Sequence, residues 1–176
     1  MRAISEVARI YVPKNSVKER EFMKETTLCY IENEDYYLML YRNKKQDDPN
    51  AGKWIGVGGK MEQGETVEGC LLREVKEETG ITLEKYEKRG VIDFISDTWE
   101  DERMHLFTGT VEKRDSYECN EGTLQWIQKA QVMTLHLWEG DRVFLEKLIL
   151  GEKDISLILR YEDEKLVSVE EKGNRS

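Results

Sequence analysis

The chain predicts an α/β fold in which helices flank a mixed sheet. Three observations carry this expectation. Residues 26–33 and 36–43, TTLCYIEN and YYLMLYRN, are strand-like apolar runs around a two-residue break. Residues 67–79 repeat apolar side chains at helical spacing. Strand-like runs then return on both sides of a second helical stretch near residues 139–150. Strands mixed with two main helices imply packed layers, because each element must bury one face against another.

Taken in order, the elements read as follows. Residues 1–25 form an N-terminal extension, either an extra strand and short helix or a loosely held segment, with a turn at Pro13 and Asn15-Ser16. A single domain is expected over 26–176, and a chain of 176 residues is long enough to bury a sizeable core. Glu34-Asp35 turns the first hairpin. KKQDDPNAGK, residues 44–53, is a polar loop. WIGVGG, residues 54–59, is one short strand leading into a tight loop. Thr66 caps the following helix and Gly80 closes it. Inside it Val67, Leu71 and Val75 make a core-facing stripe whose next position is Glu78. A carboxylate in a core register demands a partner.

Residues 89–96, 102–112 and 123–128 are strand-like, and 129–134 suggest a helical turn. Residues 139–150 form the second helix, and 155–171 alternate as a last hairpin around Glu162-Asp163.

The formal charge of −9 argues against broad binding to a nucleic-acid backbone, but not against a single nucleotide bridged by a cation. Cys29, Cys70 and Cys119 are odd in number and match no zinc or disulfide spacing, so reduced thiols in a cytoplasmic protein are expected. No apolar leader and no run of 18 apolar residues is present, so neither a signal peptide nor a membrane span is expected.

Residues 59–81, GKMEQGETVEGCLLREVKEETGI, carry the chemistry. Glu74, Glu77 and Glu78 fall within about 100° of arc on one helix. Three like charges that close repel unless a cation neutralises them. Carboxylate oxygens on a rigid element suit Mg²⁺ or Mn²⁺, which points to chemistry on phosphate.

The same segment resembles an intact Nudix box. Gly59, then Glu65, then Arg73-Glu74-Val75, Glu77-Glu78 and Gly80-Ile81 stand at that family's spacing. The resemblance implies an α/β/α sandwich and metal-dependent hydrolysis of a nucleoside diphosphate linked to another group. It also implies that Glu74, Glu77, Glu78 and the Gly59 carbonyl hold the metal. Glu77 or Glu78 would take the proton from water, and Arg73 would orient glutamates such as Glu65 or Glu77. A glutamate outside the box completes the metal shell in MutT-like members. Glu121 fits that place, with Glu118 as competitor. LHLWEGDRVFLEKLI, residues 135–149, resembles the base-binding region of MutT-like purine nucleotide hydrolases. There Trp138 would stack on a purine and Asp141 would accept from the base edge. Lys60 is placed to meet a phosphate.

One departure is Ile55, where the branch acting on oxidised purines often has asparagine. The implied reaction converts a nucleoside triphosphate, such as 8-oxo-dGTP, to the monophosphate and pyrophosphate. Rival readings are a pyrophosphatase for ADP-ribose, sugar nucleotides or dinucleotides, a non-catalytic nucleotide sensor, or an isomerase on the same scaffold. The expected partner is a nucleotide substrate, with no nucleic-acid polymer and no membrane, and with a homodimer admissible.

Overall fold

A computed structural model describes residues 23–173. Residues 1–22, most of the expected extension, lie outside the described residues. The first strand, β1, spans Lys24–Asn33, so Lys24 and Glu25 belong to the sheet rather than to an extension. β2 is Tyr36–Tyr41, β3 Trp54–Ile55, β4 Val57–Lys60 and helix α1 Val67–Thr79. β5 is Lys85–Ser96, β6 Glu102–Thr110, β7 Thr123–Gln128 and α2 Lys129–Val132. α3 is Glu139–Ile149, β8 Ile155–Glu162 and β9 Lys165–Glu171.

The strands form one mixed sheet in the order β3-β2-β1-β6-β5-β8-β9, with β4 against β1 and β7 against β2. The β1–β6 and β5–β8 pairs are parallel and the rest antiparallel. Central β1 is buried along six consecutive residues, as a strand covered on both faces must be. Its alternate side chains feed two separate cores. Cys29 and Ile31 pack with Leu71 and Val75 of α1. Leu28 and Tyr30 pack with Phe144, Leu145 and Leu148 of α3. The result is a mixed sheet flanked by helices, as the mixture of strands and helices predicts, in the α/β/α arrangement that the resemblance implies. Among the described residues no helix is long and apolar enough to cross a membrane.

Two local expectations change. The run at 54–59 is two strands, because the chain changes partner at Gly56. β3 pairs with β2 through Leu40 and Ile55, whereas β4 pairs with β1 through Cys29 and Val57. A Cβ at Gly56 would stand 2.7 Å from the Cys29 carbonyl, so only glycine permits the crossing. The last hairpin turns at Asp163-Glu164, one residue later than expected, since Glu162 and Lys165 are partners. Asp163 takes a positive φ of 53°, and its N–H donates to the Asp97 carboxylate at 3.0 Å.

Candidate active site

The box folds as a loop that delivers α1 against β4. Thr66 Oγ1 accepts the Gly69 N–H at 3.0 Å, and Gly80 ends the helix in the left-handed region at φ 77°. At Gly59 a Cβ would lie 2.5 Å from the Glu74 carboxyl carbon. The Glu74 carboxylate therefore rests directly over the Gly59 backbone.

Arg73 organises the exposed end of the acid cluster. Its Nε and Nη2 donate to the two Glu65 oxygens at 2.7 and 3.0 Å. Its Nη1 donates to Glu74 at 2.8 Å and to Glu77 at 3.2 Å. Its Nη2 also reaches the Lys60 carbonyl at 3.1 Å. A guanidinium fork makes this set of contacts where an ammonium could not. The bond from Arg73, aided by the Glu62 N–H, holds the Glu65 carboxyl down at about 2. The sequence expectation named Glu65 or Glu77 as the glutamate that Arg73 orients. The structure gives it both, and Glu74 as well.

Glu78 sits at the buried end of the cluster. It is 7% exposed and accepts the Gly58 N–H at 2.8 Å. Its carboxyl lies against that of Glu121, which brings Glu121 to the buried end of the cluster. Glu118, the competitor, is exposed. Burial, then the Glu121 carboxylate, push Glu78 well above the carboxylate range. Glu121 is held down because Lys45 and Arg42 both engage it. Lys45 Nζ donates at 2.9 Å and Arg42 Nη1 at 2.5 Å. Arg42 also binds Asp48 at 2.5 Å, and Lys44 donates to the Cys119 carbonyl at 2.7 Å.

The donor set fits a hard divalent cation. It offers carboxylate oxygens, and the Glu78–Glu121 contact requires either a proton or a cation between two acids. No three acids among the described residues stand at ligand geometry, since Arg73 engages Glu74 and Glu77 while Glu78 turns to Glu121.

On the other face of the sheet lie Trp138 and Asp141. Trp138 precedes α3, and its Nε1 donates to Asn50 Oδ1 at 2.8 Å. The Lys53 ammonium lies 4.0 Å from the Trp138 ring centroid, over the surface expected to stack on a base. Trp99 and Tyr161 meet the same ring edge-on at 5.5 and 5.8 Å. Asp141 is buried, and burial, reinforced by Glu102 and opposed by Lys53, raises its carboxyl to about 7. The Tyr30 hydroxyl is enclosed beside the Gly56 backbone, and Asp141 is among its electrostatic neighbours. Ile55 packs on the α1 side. Lys60 is exposed, and only its carbonyl takes part in the network.

The sequence reading did not assign roles to Arg42, Lys45 as a partner of Glu121, or Glu102. Arg42 directly follows β2 at the head of the polar loop, a position that suited a functional cation. Glu102 stands at the start of a strand and offered no local signal.

Comparison with known proteins places these features. A model of the NUDIX domain matches residues 23–148. The Nudix hydrolase YvcI of Bacillus subtilis is 33% identical over 140 residues, covering 74% of this chain and 82% of its own. The mouse oxidized purine nucleoside triphosphate hydrolase is 33% identical over 104 residues, covering 58% of this chain and 67% of its own. The crystal structure of a MutT protein from Bacillus halodurans superposes with a TM-score of 0.70 at 27% identity, covering 85% of this chain and 98% of that one.

Proposed function

Because this chain belongs to the Nudix hydrolase family, we propose that it hydrolyses a nucleoside triphosphate to the monophosphate and pyrophosphate, with 8-oxo-dGTP as the favoured substrate. The carrying observation is a pair of acidic sites joined by the loop after β2, whose Arg42 reaches Glu121 and whose Asn50 and Lys53 reach Trp138. Glu74, Glu77, Glu78 and Glu121 gather on the α1 side, and Trp138 with Asp141 lies on the α3 side. The first suits the charge of a polyphosphate neutralised by cations, and the second suits a purine. The mouse relative acts, by its name, on oxidised purine nucleoside triphosphates, which supports this substrate class.

Nudix hydrolases generally use divalent metal ions, and Mg²⁺ is the proposed ion here, with Mn²⁺ as substitute. Glu74, Glu77, Glu78, Glu121 and the Gly59 carbonyl would hold it, and the ion would supply charge neutralisation and an acidified water. The protein's own residues then have distinct tasks. Arg73 fixes the rotamers of Glu65, Glu74 and Glu77. Glu77, which is 59% exposed on its side chain, can pass a proton to solvent. Glu78 is shielded and fixed by Gly58, which suits an acceptor at the reacting centre. Arg42 and Lys45 hold Glu121 and are placed to take up phosphate charge once a cation replaces them. Lys60 adds a further cation at the rim. Asp141 would accept from the purine edge, and Trp138 would stack on the base after Lys53 leaves its ring. Three unpaired, buried cysteines support a cytoplasmic setting.

The test is a turnover screen with Mg²⁺ and product masses as readout. It would compare 8-oxo-dGTP, ordinary dNTPs, ADP-ribose and dinucleoside polyphosphates. Monophosphate plus pyrophosphate, formed from 8-oxo-dGTP with a much higher kcat/KM than from dGTP, is the expected result. Preferential cleavage of ADP-ribose would overturn the substrate assignment and leave the acid cluster in place. Failure to turn over any of them would overturn the hydrolytic reading.

A further inference from the structure

The α3 side of the sheet carries a second acid that the base-binding reading does not use. Glu102 opens β6 on the same face as Met104 and Leu106, which both pack in the α3-side core. Its Oε1 accepts the Thr26 hydroxyl at 2.5 Å, which fixes the carboxylate. Among the described residues its Oε2 has only a loose pair with Lys24 at 3.9 Å. On α3, Asp141 is 6% exposed, and no donor among the described residues reaches its carboxylate. Trp99, three residues before Glu102, touches the ring of Trp138, three residues before Asp141. Glu102 is also the acid whose charge acts most on Asp141.

A buried acid with no donor is costly unless a ligand supplies one. Asp141 is such an acid, and Glu102, near enough for its charge to act on Asp141, keeps one oxygen without a firm donor, so together they suit a ligand with adjacent N–H groups. Adenine offers one amino group beside an acceptor nitrogen, and thymine offers one N–H between two carbonyls that would face carboxylate oxygens. A 2-amino-4-oxopyrimidine ring offers an unbroken row of N–H donors. Guanine bases and pterins share this edge.

We propose that Glu102 and Asp141 form a paired acceptor that selects this 2-amino edge, with Glu102 reading the exocyclic amino group. The inference rests on the reading of this side as the base site.

The experiment compares wild type with Glu102→Gln, which keeps an oxygen for Thr26. With Mg²⁺, kcat/KM is measured for dGTP and for dITP, which lacks only the 2-amino group. In parallel, guanosine, inosine and neopterin are titrated by tryptophan fluorescence, which needs no turnover. Wild type is expected to favour the 2-amino member of each pair by about tenfold or more, and E102Q to lower that ratio about tenfold. A wild type blind to the 2-amino group, or a ratio unchanged in E102Q, overturns the proposal. Guanosine binding that depends on Glu102, without hydrolysis of any triphosphate, upholds the paired acceptor and overturns the hydrolytic reading alone. Neopterin binding tighter than guanosine and weakened in E102Q assigns the edge to a pterin, and the reverse order assigns it to a purine.

Discussion

The α1 side and the α3 side of the sheet both concentrate acids, but they satisfy them differently. On the α1 side nearly every carboxylate already has a donor. Arg73 serves Glu65, Glu74 and Glu77, Gly58 serves Glu78, and Arg42 with Lys45 serves Glu121. On the α3 side Asp141 has no donor among the described residues, and Glu102 has one firm bond. A network full of internal donors is preorganised for a fixed cofactor and one reaction. A pocket of acids short of donors is poised for a ligand that brings its own. The contrast separates chemistry from selection.

The largest effect is expected at the α1 site. Glu78→Gln should lower turnover by about a hundredfold or more while leaving the thermal midpoint unchanged or higher, since it removes one acid of a repelling pair. Comparable turnover in E78Q would remove Glu78 from the reacting centre. Next in size, Gly59→Ala puts a methyl into the Glu74 carboxylate, and a loss of roughly tenfold in kcat/KM is expected, with a raised metal requirement. A fully active G59A enzyme would show that Glu74 need not lie there.

The α3 side makes a prediction about pH. Asp141 is raised to about 7, so the folded state binds a proton that the unfolded state releases near 4. Between those values the folded state holds more protons, and stability falls as pH rises. The full shift corresponds to about 4 kcal/mol as an upper bound. Asp141→Asn should flatten this decline between pH 4 and 7. Glu65, lowered to about 2, acts the other way, its contribution fading as pH falls below about 5, and Glu78, raised to about 9, adds its own decline over the same range, so Asp141 is read from the difference between the two slopes. Thermal melts across the range decide the matter, and equal slopes in both proteins would remove Asp141 as the cause. The smallest effect is expected at Lys53. Replacing it by Met should tighten binding of an uncharged nucleoside about two- to fivefold, because the ammonium no longer covers Trp138. Weaker binding in the fluorescence titration would instead make Lys53 part of the bound pocket.

The two sides also differed in how far the sequence disclosed them. The α1 side is local. Its cap, its stripe of Val67, Leu71 and Val75, its three acids and its closing glycine all lie within one helix and its ends, so spacing alone displays them. The contact between Arg42 and Glu121 spans 79 positions, and that between Thr26 and Glu102 spans 76. Periodicity reports which face a residue occupies, not which distant residue meets it there. Glu102 begins a strand, where an acid reads as an ordinary solvated end. Gly56 was hidden for a related reason. Its neighbours Trp54, Ile55 and Val57 all favour strand, and only the tertiary partner shows that the strand changes at this point.

The alternation of β1 has one more consequence. Thr26, Leu28 and Tyr30 point to the selecting side, and Thr27, Cys29 and Ile31 to the reacting side. One strand is thus a common wall for two compartments that can drift apart in sequence. Substitutions at even positions can retune what is recognised without disturbing what is done to it. A one-residue insertion within β1 has no such freedom. It would turn each wall to the wrong room at once.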